Sequence, residues 1–350
     1  IPLVAFLVLR RVPWSEEFAP RISRLLIWIG GIVALVGIIM LLLPQSVFEW
    51  LGYSSMHSLY VPSGPIAAFQ QIGSMSLRRM QSVMSGPNQL GLWLLIPFAF
   101  TIISLHSCKR VGRYRNLSLL VFFGIAIFLT FSRAALIAAF LMVVIALLHS
   151  DSKDLSRRLI VRIGAIVFFI ALFAVVSSPD VFLRVASTRE HLIRPIKAVN
   201  TMIANPLGLG LGSAGPASNR VSDACVFLPE DGDASWAEAH PDLCVFLGDT
   251  QALPTDRQCK CPFLPENWYL QIGVELGIAG FALFSLLVVM LCIQLAHKRE
   301  GQLSHGVFLA FLGISIAALF LHAWEGSAVA YTLWILVAVA MRQTSSAASS

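Results

Sequence analysis

The sequence predicts an all-α, polytopic transmembrane helical bundle with one large extracytoplasmic loop lobe, and three observations predict it. First, 57% of its 350 residues are hydrophobic and only 13% are charged, about half the charge of an ordinary globular domain. Mean hydropathy is +0.77, more apolar surface than a soluble fold can hide and a bilayer can. Second, the charges cluster and leave uncharged runs close to the ~20 residues that cross a membrane. Third, the basic clusters fall on every second connection between those runs, so all of them fit on the cytosolic side at once. The net charge of +6 is accordingly read as orientation signal, and no nucleic-acid partner is expected.

Taken in order, residues 1–9 read as the end of one span. Ile1 already stands in an apolar run with no signal-peptide n-region, so further helices are expected upstream. Spans follow at 24–43, 89–107, 117–131, 134–149, 159–177, 268–295, 305–321 and 328–341. Arg10, Arg11, Arg21 and Arg24 precede the first full span; Lys109, Arg110, Arg113 and Arg115, then Lys153, Arg157 and Arg158, then His297, Lys298 and Arg299 occupy alternate connections, and Arg342 closes the last. Thr130-Phe131-Ser132-Arg133 separates 117–131 from 134–149, because an isolated Arg at mid-bilayer is costly. The organisation expected is an N-terminal membrane part at 1–177, an outward loop lobe at 178–267, C-terminal spans at 268–341 and a cytosolic tail at 342–350.

The lobe holds Cys225, Cys244, Cys259 and Cys261. Spacings of 19, 15 and 2 do not suit paired Cys-x2-Cys zinc ligation. An even cysteine count in an extracytoplasmic loop predicts two disulfides, with three pairings open. Gly210-Leu211-Gly212-Ser213-Ala214-Gly215 matches a dinucleotide fingerprint in letters only, since an amphipathic stretch rather than a strand precedes it. It reads as a Gly-rich turn spanning 205–212, with Gly208, Gly210 and Gly212 letting backbone approach a bound group. Leu192, Ile193, Ile196, Val199 and Ile203 recur at helical spacing, predicting an amphipathic helix in the headgroup layer.

Arg78, Arg79, Arg133, Arg184, Arg189 and Arg194 gather on the outward side. Guanidinium groups pair phosphate oxygens bidentately and stay charged, whereas some of these side chains need only snorkel to headgroups. Arg133, in a tight turn, is expected to hold anionic substrate more than Arg194 does. The acidic run from Asp223 to Asp242 reads as a solvated face, because the ligands of an EF-hand loop are missing around Glu230-Asp231-Gly232-Asp233. Glu275 and Glu325 read as helix-packing partners or functional acids.

Pro265-Glu266-Asn267-Trp268-Tyr269-Leu270-Gln271 runs into Val274-Glu275-Leu276-Gly277-Ile278-Ala279-Gly280. This resembles the closing signature of the O-antigen ligase and O-antigen polymerase superfamily. Arg79 with Gly86-Pro87-Asn88, the Thr130–Arg133 turn, Ser187 to His191, and the Asn205–Gly212 stretch resemble further pieces of that family in the same order. Together the pieces cover roughly residues 70–340. The resemblance implies a membrane C-type glycosyltransferase fold in a bacterial plasma (inner) membrane. It implies transfer from an undecaprenyl-pyrophosphate-linked oligosaccharide to a glycan hydroxyl, without metal or other cofactor and with inversion at the anomeric carbon. Glu266 and Asn267 would be the catalytic pair, and Arg79, Arg133, Arg189 and His191 would hold the donor pyrophosphate. Ligases of that family carry His where Glu266 stands, which favours a polymerase; a carboxylate serves the same general-base role. The partners implied are the lipid-linked donor, the glycan acceptor, membrane lipid and a chain-length regulator. A protein O-oligosaccharyltransferase differs only in acceptor. A transporter or flippase is the reading from another class, against which stands the lack of an internal repeat.

Overall fold

A computed structural model describes residues 2–15, 17–53, 69–70, 72, 77–107, 110–148, 185–220, 222–228, 230, 232–239, 241–248, 250–297 and 301–343. The span expected at 159–177, Arg184 and most of the tail lie outside the described residues. The described helices are α1 Pro2–Leu9, α2 Phe18–Leu42, α3 Gln45–Trp50, α4 Pro87–Ser107, α5 Arg110–Leu129, α6 Arg133–Leu148, α7 Val185–Ala204, α8 Trp268–His297, α9 Gln302–Ala317 and α10 Ser327–Gln343. Each expected span that falls on described residues has a helix within a few positions of it. The break at Thr130–Ser132 separates α5 from α6, as the Arg133 argument requires.

Among the described residues, four helices are long and apolar enough to cross a membrane: Phe18–Leu42, Pro87–Leu105, Gly112–Leu129 and Trp268–His297. The apolar helices α6, α9 and α10 have 16, 16 and 17 residues, about 24 to 26 Å at 1.5 Å per residue and shorter than a ~30 Å hydrocarbon core. These are the dimensions and composition of a helical membrane protein.

The chain divides into two compact units, each described by itself. The first comprises Ile1–Leu42, Gln71–Glu190 and Ser285–Ser350. Its inner member is α4, 78% buried along its apolar window against 22% for α2 and 28% for α5. Small residues let its neighbours close in. A Cβ on Gly306 of α9 would come within 2.6 Å of the Phe100 ring, and one on Gly91 would meet Ala135 and Thr130 at 3.0 Å. Phe311, Trp324 and Trp334 pack in tilted and edge-to-face pairs with centroids 5.3 to 6.1 Å apart, and the edge-to-face Phe6 of α1 joins them at 5.7 Å from Trp334.

The second unit comprises Leu43–Gln70 and His191–Phe284. Here the structure departs from an all-α chain, because residues 224–253 form a small sheet. Strand β1 (Ala224–Leu228) pairs in parallel with β2 (Leu243–Leu247), and β2 pairs antiparallel with β3 (Thr250–Leu253). The reason lies in residues such as Cys-Val-Phe-Leu at 225–228 and 244–247, β-branched and aromatic runs too short for a helix. Ala237, Leu243 and Val245 make the sheet's buried core, with Ala224, Val226, Leu228, Ala234 and Leu253 packed around it.

The two expected disulfides are present, as Cys225–Cys261 and Cys244–Cys259. Cys225 lies directly opposite Cys244 in the β1–β2 register, so the 259–261 segment straps both strands at one level. Closing loops of 36 and 15 residues constrains the unfolded chain by about 3 to 4 kcal/mol each. Gly215 and Phe263, at the two ends of the lobe's insertion, are joined by a 2.7 Å backbone hydrogen bond.

Candidate functional site

Glu266 ends the loop, and the local chain explains its setting. Asn267 stands just outside α8, and its Oδ1 accepts the Leu270 N–H at 3.0 Å, the side-chain cap of a helix N-terminus. With Asn267 committed to the cap, Glu266 takes φ +55°, the left-handed region that costs a non-glycine residue roughly 1 to 2 kcal/mol. Strain of this kind persists where the surroundings over-determine it, and it gathers at functional sites. The Glu266 carboxylate is met by Arg194 of α7, Nη1 to Oε1 at 3.0 Å, with the two side chains 30% and 17% exposed. A charge-assisted bond in this half-buried position holds the carboxylate in one direction.

The Gly-rich turn lies in the same unit. Its backbone approaches α8. Helix α8 is interrupted at Gly277, with φ 74° and ψ −171°. There the turn supplies the missing partners: Leu209 N–H donates to Val274 O at 2.8 Å, Gly210 N–H to Glu275 O at 3.0 Å, and Ile278 N–H to Pro206 O at 3.0 Å. A Cβ on Gly208 would sit 2.4 Å from Glu275 O and 2.6 Å from Gly277 N, so glycine is required for this approach. Gly210 and Gly212 have φ of 95° and 82°. The Glu275 carboxylate, buried, accepts the Gly212 N–H at 3.0 Å. Of the two roles the sequence left open for Glu275, the described geometry fits the packing partner.

In the first unit, Arg79 is buried and braces the α5–α6 turn. Its Nε donates to Thr130 O at 2.9 Å and its Nη2 to Asn88 Oδ1 at 2.8 Å, with Phe131 O at 3.5 Å. Carbonyls at a helix C-terminus lack intrahelical donors and carry partial negative charge, which a guanidinium satisfies. The Arg79, Pro87-Asn88 and Thr130–Arg133 pieces, separate in sequence, are therefore one structural cluster. Arg133 opens α6 directly after that turn. Arg189 and His191 lie on α7, where their side chains are outside the described residues.

In the sheet, Asp223 lies within 4.8 Å of Cys244 and Cys259. Those sulfurs are bonded to each other, so neither offers the thiolate a metal needs. Asp223 is engaged by Lys260 N–H at 2.7 Å and Arg257 Nη1 at 2.7 Å; these bonds hold its carboxyl below the usual carboxylate range, the Lys260 N–H foremost. Asp233 is lowered too, by its hydrogen bonds with Ser235, as expected of a turn residue.

Sequence reading missed the partnership of Arg194 with Glu266, 72 residues away. The available signal was angular: at 100° per residue, Arg194 falls on the opposite side of α7 from Ile196 and Ile203, facing the protein. No family model matches the chain, and no curated protein matches it in sequence.

Proposed function

We propose that this protein is a membrane glycosyltransferase that polymerises lipid-linked oligosaccharides, with Glu266 as general base. The observation that carries the reading is Glu266 itself: a strained, half-buried carboxylate at the mouth of a capped helix, held in direction by Arg194. The acceptor hydroxyl gives its proton to a Glu266 carboxylate oxygen. Its oxygen bonds to the anomeric carbon as the bond from that carbon to the donor's phosphate oxygen breaks. The electron pair leaves on undecaprenyl pyrophosphate, and attack from the opposite face inverts the centre.

Arg133, Arg189 and His191 are assigned to the departing pyrophosphate, where fixed cations offset the charge that develops. Arg79 is assigned the bracing of the turn that precedes Arg133. The two lobe disulfides support an extracytoplasmic lobe, since such bonds persist in oxidising compartments; the membrane in this reading is the bacterial plasma membrane, and the fold a membrane C-type glycosyltransferase. Polymerisation is favoured over ligation because Glu266 replaces the ligase His.

The test is incubation of the purified protein with lipid-linked repeat units, with and without a lipid-core or peptide acceptor. A product ladder without added acceptor supports the polymerase. Product only with lipid core or peptide moves the assignment to a ligase or a protein transferase, and no transfer with any acceptor rejects the enzyme reading.

A further inference from the structure

The Gly-rich turn presents three leucines to the outside: Leu207 is 92% exposed, Leu209 51% and Leu211 78%. The glycines alternating with them hold the left-handed conformations that point the chain this way. On α7, Ala198 and Met202 face inward while Ile196 and Ile203, two turns apart, are 61% and 63% exposed. Five large apolar side chains in one short stretch of a folded unit form a patch that water does not tolerate cheaply.

The level of this patch along α8 is fixed by hydrogen bonds. Leu209, Gly210 and Pro206 are bonded to Val274, Glu275 and Ile278, so the turn is joined to α8 at its Gly277 interruption. Helix α8 is one of the helices long and apolar enough to cross a membrane. From Gly277 to its end at His297 it runs about 20 residues, hence about 30 Å, the thickness of the hydrocarbon core. The interruption therefore falls where acyl chains meet headgroups. Leu276 and Ile278, beside the interruption, are themselves 44% and 46% exposed, and the Ile278 N–H bonds to Pro206 O, the residue before Leu207.

We propose that residues 207–211 form a membrane wedge, with Leu207, Leu209 and Leu211 and the adjoining Ile196 and Ile203 seated in the upper acyl-chain region of the bilayer. The occupant of this face is bilayer hydrocarbon. The wedge suspends the second unit from the membrane at the level of the α8 interruption, and it does not depend on which reaction the protein performs.

The experiment places an environment-sensitive nitrobenzoxadiazole probe on Leu209→Cys, with Cys108 and Cys292 changed to Ser and the lobe disulfides kept. The full chain is reconstituted in phosphatidylcholine–phosphatidylglycerol vesicles, with Asp256→Cys as the control on the exposed lobe. Expected are blue-shifted emission at position 209, quenching by lipids spin-labelled high on the acyl chain, and several-fold weaker quenching by iodide than at position 256. Iodide quenching at 209 equal to that at 256, with no effect of spin-labelled lipid, overturns the wedge. Because the probe replaces an exposed side chain, folding is retained. Intact lobe disulfides, shown by resistance to alkylation, confirm this for each sample read.

Discussion

Arg194 and Glu266 lie 72 residues apart in sequence and meet at 3.0 Å, joining the amphipathic helix to the residue just before the Asn267 cap of α8. The pair gives Glu266→Gln and Arg194→Ala a shared consequence. Glu266→Gln is expected to lower oligosaccharide transfer by about 100-fold or more, the scale of a lost general base, while the protein still inserts in the membrane. Arg194→Ala and Glu266→Gln are expected to be non-additive in thermal stability, with a coupling of about 1 kcal/mol. Unchanged polymer length in Glu266→Gln would remove Glu266 from the mechanism, and strictly additive stabilities would show that the pair does not orient it.

The turn glycines separate by what surrounds them. Gly208→Ala drives a Cβ to within 2.4 Å of Glu275 O at a φ of +85°, so both strain and collision act. Gly210→Ala meets nothing within 4 Å and bears only its φ of +95°, worth about 1 to 2 kcal/mol. Thermal denaturation of the detergent-solubilised protein is expected to rank Gly208→Ala well below Gly210→Ala, and equal losses would count against the close approach to α8.

Arg79 tests geometry against charge. Its removal leaves the Thr130 carbonyl buried without this donor, a loss of about 1 to 3 kcal/mol. Arg79→Lys keeps the charge but cannot reach Thr130 O and Asn88 Oδ1 with one planar fork. Both Arg79→Ala and Arg79→Lys are therefore expected to lower the unfolding temperature. Full rescue by lysine would mean that charge alone matters there.

The lobe should respond to acid through Asp223. Its carboxyl is lowered in the folded protein, chiefly by the Lys260 N–H and then by Arg257. The stabilisation is therefore fully present above the unfolded value near pH 4 and is lost as pH falls through the lower folded value. Protease resistance of the lobe between pH 2 and 6 is expected to drop on acidification in the wild type. In Asp223→Asn it should be low and nearly flat over the same range.

The helices were readable because membrane spans announce themselves through length and apolarity, and because basic clusters repeat on alternate connections. The short sheet was less readable, since 225–228 and 244–247 are only four-residue runs whose parallel pairing depends on partners far along the chain. Disulfides were predictable in number from four lobe cysteines, but the pairing depends on how the 259–261 segment lies across β1 and β2, which composition does not encode. The same limit applies to Arg194: a charge on an amphipathic helix has two destinations, headgroup or protein, and only tertiary structure chooses. The Gly-rich turn was recognisable as a place of close backbone approach, and what it approaches turned out to be the interrupted α8.

The hydrogen bond between Gly215 N–H and Phe263 O gives the lobe a property of its own. The chain leaves for the sheet and returns at a single doorway, and the sheet's core and both crosslinks are contained beyond it. Residues 216–262 thus form a detachable cassette. A short glycine linker from Gly215 to Phe263 would excise it without rerouting α7, the leucine turn or α8.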